Sequence, residues 1–243
     1  MKLATTSLVA LMLGFAATAS QADGVNLYWN DCMEAGVMNK TFACNTNSGN
    51  PFVLVGSYVA PSGIGNVVGL EAVLDFGSES PSTPSWWLFV NAGSCRQMAV
   101  SANADFTSDA YCLDPWSGQA LGGLAGYALN VYGISCRSRL QLAFAIPEAS
   151  SVPAEPDAEY YGFKVAISRA KTVGTDACAG CLTPMVILLS SIKLAQAGSP
   201  ELVLLQNPAA NNMVSWQNGQ LWNTCIRTPT RNSTWGAIKA QYH

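Results

Sequence analysis

The sequence is poor in histidine and in charge. Its one histidine is the last residue, His243, and charged residues make up 11% of the 243 positions, against roughly 25% in typical globular domains. A Ser-His-Asp triad, a Cys-His pair and a multi-histidine metal site are therefore excluded, unless the C-terminus folds into an active site. The net charge of −3 provides no basic footprint for nucleic acid. No cofactor or metal ligand set is predicted.

Long hydrophobic runs are also absent from the rest of the chain. After the N-terminus, no segment approaches the ~18 apolar residues of a membrane helix. The N-terminus itself has Lys2 followed by an apolar run at Leu8–Ala17, with small residues at Ser20 and Ala22. This pattern predicts a secretory signal peptide at residues 1–22, cleaved before Asp23. We therefore expect a secreted protein, periplasmic or extracellular, with no membrane span.

Eight cysteines follow the predicted signal peptide. An even number in an exported chain indicates disulfide bonds, and eight cysteines allow 105 pairings that sequence alone cannot distinguish. The shortest separations favour the local pairs Cys32–Cys44, Cys95–Cys112 and Cys178–Cys181, which leaves Cys136–Cys225 as a long-range bond.

Short apolar runs, several of them alternating, recur between turn-forming segments and are typical of β-strands. They predict an all-β fold, a two-sheet sandwich or jelly roll, with one domain at residues 23–243. The acidic, proline-rich segment Pro147–Glu159 is either a surface loop or a domain linker. Short helices are expected around Cys32–Met38 and at Ser233–Ala240. The predicted strands are Phe52–Val59, Val67–Phe76, Trp86–Asn91, Leu124–Tyr132, Arg139–Ile146, Tyr160–Ser168, Met185–Leu194 and Glu201–Gln206.

Three patterns offer candidate chemistry. Cys178-Ala179-Gly180-Cys181 resembles a redox motif but lacks the following helix, so a disulfide-locked turn is the favoured interpretation. A glycosidase needs two carboxylates across a cleft, and a Ca²⁺ site needs several hard oxygens. Candidate carboxylates for hydrolysis are Asp31, Glu34, Glu71, Asp75, Asp114, Glu148 and Glu159, and those for Ca²⁺ are Asp105, Asp109 and Asp114.

Seven tryptophans are many for a chain of this size. Indole rings offer large contact area for a sugar at little entropic cost, and they also fill the cores of sandwich domains. Trp86 and Trp87 would point to opposite faces of a strand, so that at least one is a core residue and the other is free to be exposed. Trp116 lies in a turn-rich segment where it could face a ligand. We therefore predict Trp87 and Trp116 as ligand-binding residues.

Four segments carry a resemblance to known proteins. They are Trp29-Asn30-Asp31-Cys32, Asn91-Ala92-Gly93-Ser94-Cys95-Arg96, Cys178-Ala179-Gly180-Cys181 and the ending from Pro229 to Lys239. Together they resemble exported proteins of environmental bacteria that have no assigned activity. The resemblance implies an exported bacterial protein and carries over no catalytic or ligand residue.

Three functions remain open. The favoured one is a non-catalytic binding protein for polysaccharide or another cell-surface ligand. The second is a structural subunit of an extracellular assembly, in which the apolar segment Val25–Trp29 adds to the sheet edge of a neighbouring copy. The third is a glycoside hydrolase that uses two carboxylates.

Overall fold

A computed structural model describes residues 23–32, 36–109 and 111–220 together with Cys225. Within them the chain forms twelve strands and three single-turn 3₁₀ helices, at Ser85–Trp87, Val131–Gly133 and Glu148–Ser150. The strands are β1 Gly24–Trp29, β2 Asn39–Lys40, β3 Phe52–Val59, β4 Asn66–Ser78, β5 Val100–Asn103, β6 Leu121–Leu129, β7 Arg137–Ala145, β8 Val152–Pro153, β9 Glu159–Ile167, β10 Met185–Gln196, β11 Leu202–Leu205 and β12 Met213–Trp216.

The strands form two sheets. The smaller sheet has the order β1-β3-β9-β5, and the larger has the order β2-β12-β10-β4-β7-β6. Two short strands extend the larger sheet, because β11 pairs with β10 and β8 pairs with β4. The pairings are antiparallel except for that of β2 with β12. The predicted all-β, two-sheet fold is confirmed.

Alternation along each strand places the core between the sheets. On β4, Leu70, Leu74 and Phe76 are buried inward, whereas Glu71 and Asp75 lie on the opposite face. Side chains of a strand alternate between its two faces, so one face of each sheet is apolar and meets the other sheet. The remaining face of the larger sheet carries the features described below, and we call it the outer face.

Tryptophan fills the centre of this core. The indole ring of Trp216 lies 5.3 Å from that of Trp86 and 5.6 Å from that of Trp87, measured between ring centres. The guanidinium group of Arg96 packs on Trp86 at 3.6 Å and donates hydrogen bonds to the carbonyls of Trp86, Ala170 and Ser168. Burial lowers the pKa of Arg96 to about 9.

The predicted strand Trp86–Asn91 is wrong. Residues 85–87 form a 3₁₀ helix instead, and both tryptophans are fully buried. Consecutive residues of a tight helical turn need not face opposite directions, as they must on a strand. The other predicted strands are present, Phe52–Val59 with its predicted ends and the rest with shifted ends, and β1, β2, β5, β8 and β12 are additional.

Four disulfides link the described residues, and three of the expected pairings are wrong. The bonds are Cys32–Cys112, Cys44–Cys181, Cys95–Cys178 and Cys136–Cys225, and the last of these was predicted. All four close loops of 80 residues or more. Segments adjacent in a two-sheet fold are often distant in sequence, so the shortest separations were a poor guide. Long closed loops restrict the unfolded chain most.

Several expectations fall wholly or partly outside the described residues. The signal peptide at 1–22 and the helix at Ser233–Ala240 lie outside them. Of the helix expected around Cys32–Met38, the described residues 36–38 form a bend and a bridge to β1, not a helix. The segment Pro147–Glu159 connects β7 of the larger sheet to β9 of the smaller one and pairs with β4 through β8.

Candidate functional site

The two predicted ligand-binding tryptophans are core residues. Trp87 is 0% exposed and Trp116 is 1% exposed. Asp114 accepts hydrogen bonds from the backbone of Trp116 and Gly118, and the indole of Trp116 donates to the carbonyl of Gly162. A ring that stacks on a sugar needs an open face, and neither indole has one. The predicted exposure of Trp87 and Trp116 is therefore wrong.

Tyrosine provides the exposed aromatic rings instead. Tyr132 is 65% exposed and Tyr111 is 78% exposed. Tyr132 lies in a tight turn where Asn130, Tyr132 and Gly133 all have positive φ, with 57° at Tyr132. A bulky residue in this left-handed region is strained, and such strain concentrates at functional sites.

Beneath Tyr132 lies a buried ionic cluster formed by three neighbouring strands of the larger sheet. Asp75 of β4 accepts hydrogen bonds from Arg137 Nη2 at 2.7 Å and from Arg139 Nε and Nη2 at 2.9 and 3.0 Å. Ser190 of β10 donates to the same carboxylate at 2.6 Å. The ring centre of Tyr132 is 5.1 Å from Arg137 Cζ and 5.3 Å from Arg139 Cζ. We call these five residues the arginine–tyrosine cluster.

The cluster carries an excess positive charge. Burial alone raises the pKa of Asp75, but hydrogen bonds from Arg139, Arg137 and Ser190 outweigh it and hold the pKa below its ordinary value. The hydrogen bond to Asp75 in turn raises the pKa of Arg139. One carboxylate therefore faces two guanidinium groups, which leaves a net charge of about +1 at neutral pH.

Arg137 has unused donors in this cluster. Its side chain is 2% exposed, and its Nε and Nη1 atoms are buried with no hydrogen-bond partner. Leaving a buried donor unsatisfied costs about 1–3 kcal/mol, and more for a charged group. The described residues therefore leave two donors of Arg137 without an acceptor.

A trough lies on the outer face, and its lining ends at Val73 and Gln141, one outward position before the cluster. From Asp75 the next outward positions of β4 are Val73, Glu71 and Gly69, and β7 continues likewise from Arg139. Two adjoining depressions of about 370 and 180 Å³ share Glu71, Ala143 and Lys193. The trough lining on β4 runs from Gly69 to Val73, and four residue steps on a strand span roughly 13 Å. The floor is made largely of small side chains, namely Gly69, Ala125, Ala143, Ala145, Ser191 and Ala195.

A wider groove of about 820 Å³ lies beside the Cys44–Cys181 disulfide. Its polar side chains serve the fold: Thr172 accepts a hydrogen bond from Trp86 and donates to Arg169, and Glu79 accepts from the backbone of Gln220. The groove includes the Cys-Ala-Gly-Cys motif, which is not a disulfide-locked turn. Its two cysteines bond to Cys95 and Cys44, so the expected pairing is wrong.

Four of the candidate carboxylates, Asp75, Asp105, Asp109 and Asp114, are engaged within the protein, and the candidate Glu34 lies outside the described residues. Asp75 is held ionised by two arginines, which is the opposite of the raised pKa that a glycosidase acid needs. Asp105 and Asp114 bond to the backbone of their own turns, and Asp109 pairs with Lys164 at 2.6 Å. Among the described residues, no group of three or more His, Cys, Asp or Glu side chains could hold a metal ion.

Comparison with known proteins adds little to this geometry. No protein-family model matches the chain, and no curated protein matches its sequence. A cohesin module from a family 33 glycoside hydrolase of Clostridium perfringens is 9% identical with a TM-score of 0.33, covering 80% of this chain and 94% of that one.

A second solved structure contains manganese lipoxygenase of Gaeumannomyces graminis and part of zonadhesin of Komagataella pastoris. It is 12% identical with a TM-score of 0.27, covering 79% of this chain and 48% of that one. Similarity at this level carries no inference about function. The structure itself adds that none of the helices in the described part of the chain is long and apolar enough to cross a bilayer.

Proposed function

We propose that this is an exported, non-catalytic binding protein for polysaccharide, and that its binding surface is the trough on the outer face with Tyr132 at one end. Four disulfides indicate an oxidising compartment. The predicted signal peptide at 1–22 supplies the route of export, and residues 23–243 act as one domain.

The observation that carries this proposal is the exposed ring of Tyr132, which packs on Arg139 one outward position beyond an open trough. The trough is long, shallow and floored by small side chains, so an extended polymer can lie close to the sheet. Aromatic rings with a polar tip provide contact area at low entropic cost. Ligand sites combine such a surface with a few converging polar groups, and the arginine–tyrosine cluster provides these.

Truncation of the ring tests the proposal. Tyr132→Ala should weaken binding to polysaccharide by at least about tenfold, because ring burial contributes about 1.5 kcal/mol or more. Tyr111→Ala is the matched control, since Tyr111 is equally exposed but contacts no guanidinium group in the cluster. Calorimetric titration with a panel of neutral and acidic polysaccharides measures the change. Equal losses in the two variants would contradict the assignment of the site.

A second candidate function is self-association into an extracellular assembly. The expected edge, Val25–Trp29, is wrong because β1 pairs with β3 on one side and bonds to residues Asn207, Asn211 and Val37 on the other. The end of the trough away from Tyr132 is a better contact surface for self-association than β1, since Leu121 and Leu202 are 78% and 51% exposed there. Light scattering over a wide concentration range distinguishes the two, because a stable monomer contradicts assembly.

A further inference from the structure

We propose that the arginine–tyrosine cluster is an anion site, and that the polysaccharide bound in the trough is acidic. This inference rests on the proposed function and specifies its ligand. The anionic groups are the carboxylates of uronic acids or sulfate esters, which present the same charged oxygen atoms to a guanidinium group.

The first argument is the balance of donors and acceptors. Both oxygens of Asp75 are already engaged: Oδ1 accepts from Arg139, and Oδ2 accepts from Arg137, Arg139 and Ser190. Asp75 therefore has little capacity left for the unpartnered Nε and Nη1 atoms of Arg137. An acceptor that pairs with them must come from a group other than this carboxylate, and an anionic oxygen is the strongest acceptor available to a guanidinium.

The second argument is charge. The cluster has one positive charge more than Asp75 neutralises, in a setting shielded from water, where electrostatic interactions are strengthened. The other ion pair of the trough, Lys193 with Glu71, is balanced and loose, with its atoms 4.0 Å apart. Since the whole chain has a net charge of −3, attraction of a polyanion must be local to the cluster rather than general.

The third argument is access. The side chain of Arg139 is 23% exposed, and on β7 it is the next outward position after Gln141, which lines the trough. Tyr132 packs over both guanidinium groups, and its ring is largely in solvent. Exposed side chains change rotamer within nanoseconds. A ligand anion can therefore meet Arg139 first and reach Arg137 when the ring turns aside.

The test compares charged and neutral forms of one polymer. Polygalacturonate and its fully methyl-esterified form share one backbone and differ in whether each carboxyl group is charged or carries a neutral methyl ester, and dextran sulfate with dextran gives the corresponding comparison for sulfate. The full exported protein should bind at least one charged form about tenfold more tightly than its neutral form, as expected for a charged hydrogen bond. Whichever polymer pair shows the larger preference for its charged form identifies the bound anion as carboxylate or sulfate.

Arg139→Gln should reduce that preference to less than about threefold. Lys171→Gln removes an exposed cation that does not line the trough and should leave the preference intact. Should Arg139→Gln fail to fold, Arg139→Lys keeps the charge beside Asp75 without the planar fork of donors. It should bind the charged polymer at least about fivefold more weakly, and unchanged affinity would overturn the inference.

The remaining outcomes separate this inference from the proposed function. Equal binding of charged and neutral polymers, lost in Tyr132→Ala, would overturn the anion site and leave the binding function standing. Failure to bind any of the four polymers or the panel used for Tyr132 would overturn both. Equal affinity for polyglutamate would show that charge alone is recognised, which would overturn the assignment to polysaccharide.

Discussion

The outward faces of the two sheets differ in how their polar groups are used. On the smaller sheet, Asn26 donates to Glu159 at 2.8 Å and accepts from the backbone of Ala210 and Asn211, while Ser57 also donates to Glu159. On the larger sheet, Asp75 binds two arginines, yet two nitrogens of Arg137 stay unpartnered. The first network is completed by the protein, and the second is open to an additional acceptor.

The faces also differ in what covers them. A second apolar cluster lies on the smaller sheet, where Phe106, Tyr161 and Val55 pack with Cys32. The Cys32–Cys112 disulfide and the Lys164–Asp109 ion pair hold this covering in place. The trough on the larger sheet has no such covering among the described residues, which is why the proposed binding surface lies on that sheet.

The largest expected effect comes from removing the centre of the open cluster. Asp75→Ala leaves two guanidinium groups without their shared carboxylate, and breaking a buried ion pair in this way destabilises by about 3–5 kcal/mol. Glu159→Ala, in the completed network of the smaller sheet, should have a clearly smaller effect because no buried cation depends on it. Urea unfolding measures both. Equal losses of unfolding free energy in the two variants would contradict the distinction between an open polar network on the larger sheet and a completed one on the smaller sheet.

An intermediate effect is expected from uncovering the smaller sheet. The double variant Cys32→Ser/Cys112→Ser should lose about 2–4 kcal/mol of unfolding free energy, yet bind polysaccharide as the native protein does. Urea unfolding and calorimetric titration give the two quantities. A loss of binding in a variant that remains folded would place part of the binding surface on the smaller sheet.

The smallest expected effect on stability comes from Tyr132→Gly. Glycine relieves the strain of a positive φ, roughly 1–2 kcal/mol, while the lost cation–π contacts at an exposed site contribute about 0.5–1 kcal/mol each. These terms offset, so the free energy of unfolding should change by less than about 1 kcal/mol while binding is lost. A destabilisation above 2 kcal/mol would show that the ring is there for the fold.

Local pattern was sufficient for most of the strands and insufficient for the site. The local pattern marked β3 with its observed ends, because a short run rich in Val and aromatic residues favours a strand that is buried on both faces. It failed at Trp86 and Trp87. Their burial depends on a 3₁₀ turn and on packing with Arg96, and the local sequence does not distinguish this turn from an extended strand.

The site depends on strand order. Asp75, Arg139 and Ser190 meet only because β4 lies between β7 and β10, and no local pattern specifies that order. The same reason explains the three wrong disulfides. A usable signal was nevertheless present: Asp75 lies in an otherwise apolar run, and a charge in a buried strand requires a partner.

Nuclear magnetic resonance mapping of the bound ligand tests the central claim most directly. Backbone amide shifts of the labelled protein would be followed during titration with polygalacturonate, or with dextran sulfate if that polymer binds more tightly. The account predicts that the changes concentrate at residues 130–133 and along β4, β7 and β10, with the loop 104–109 unaffected. Changes concentrated on that loop and on the smaller sheet would contradict it.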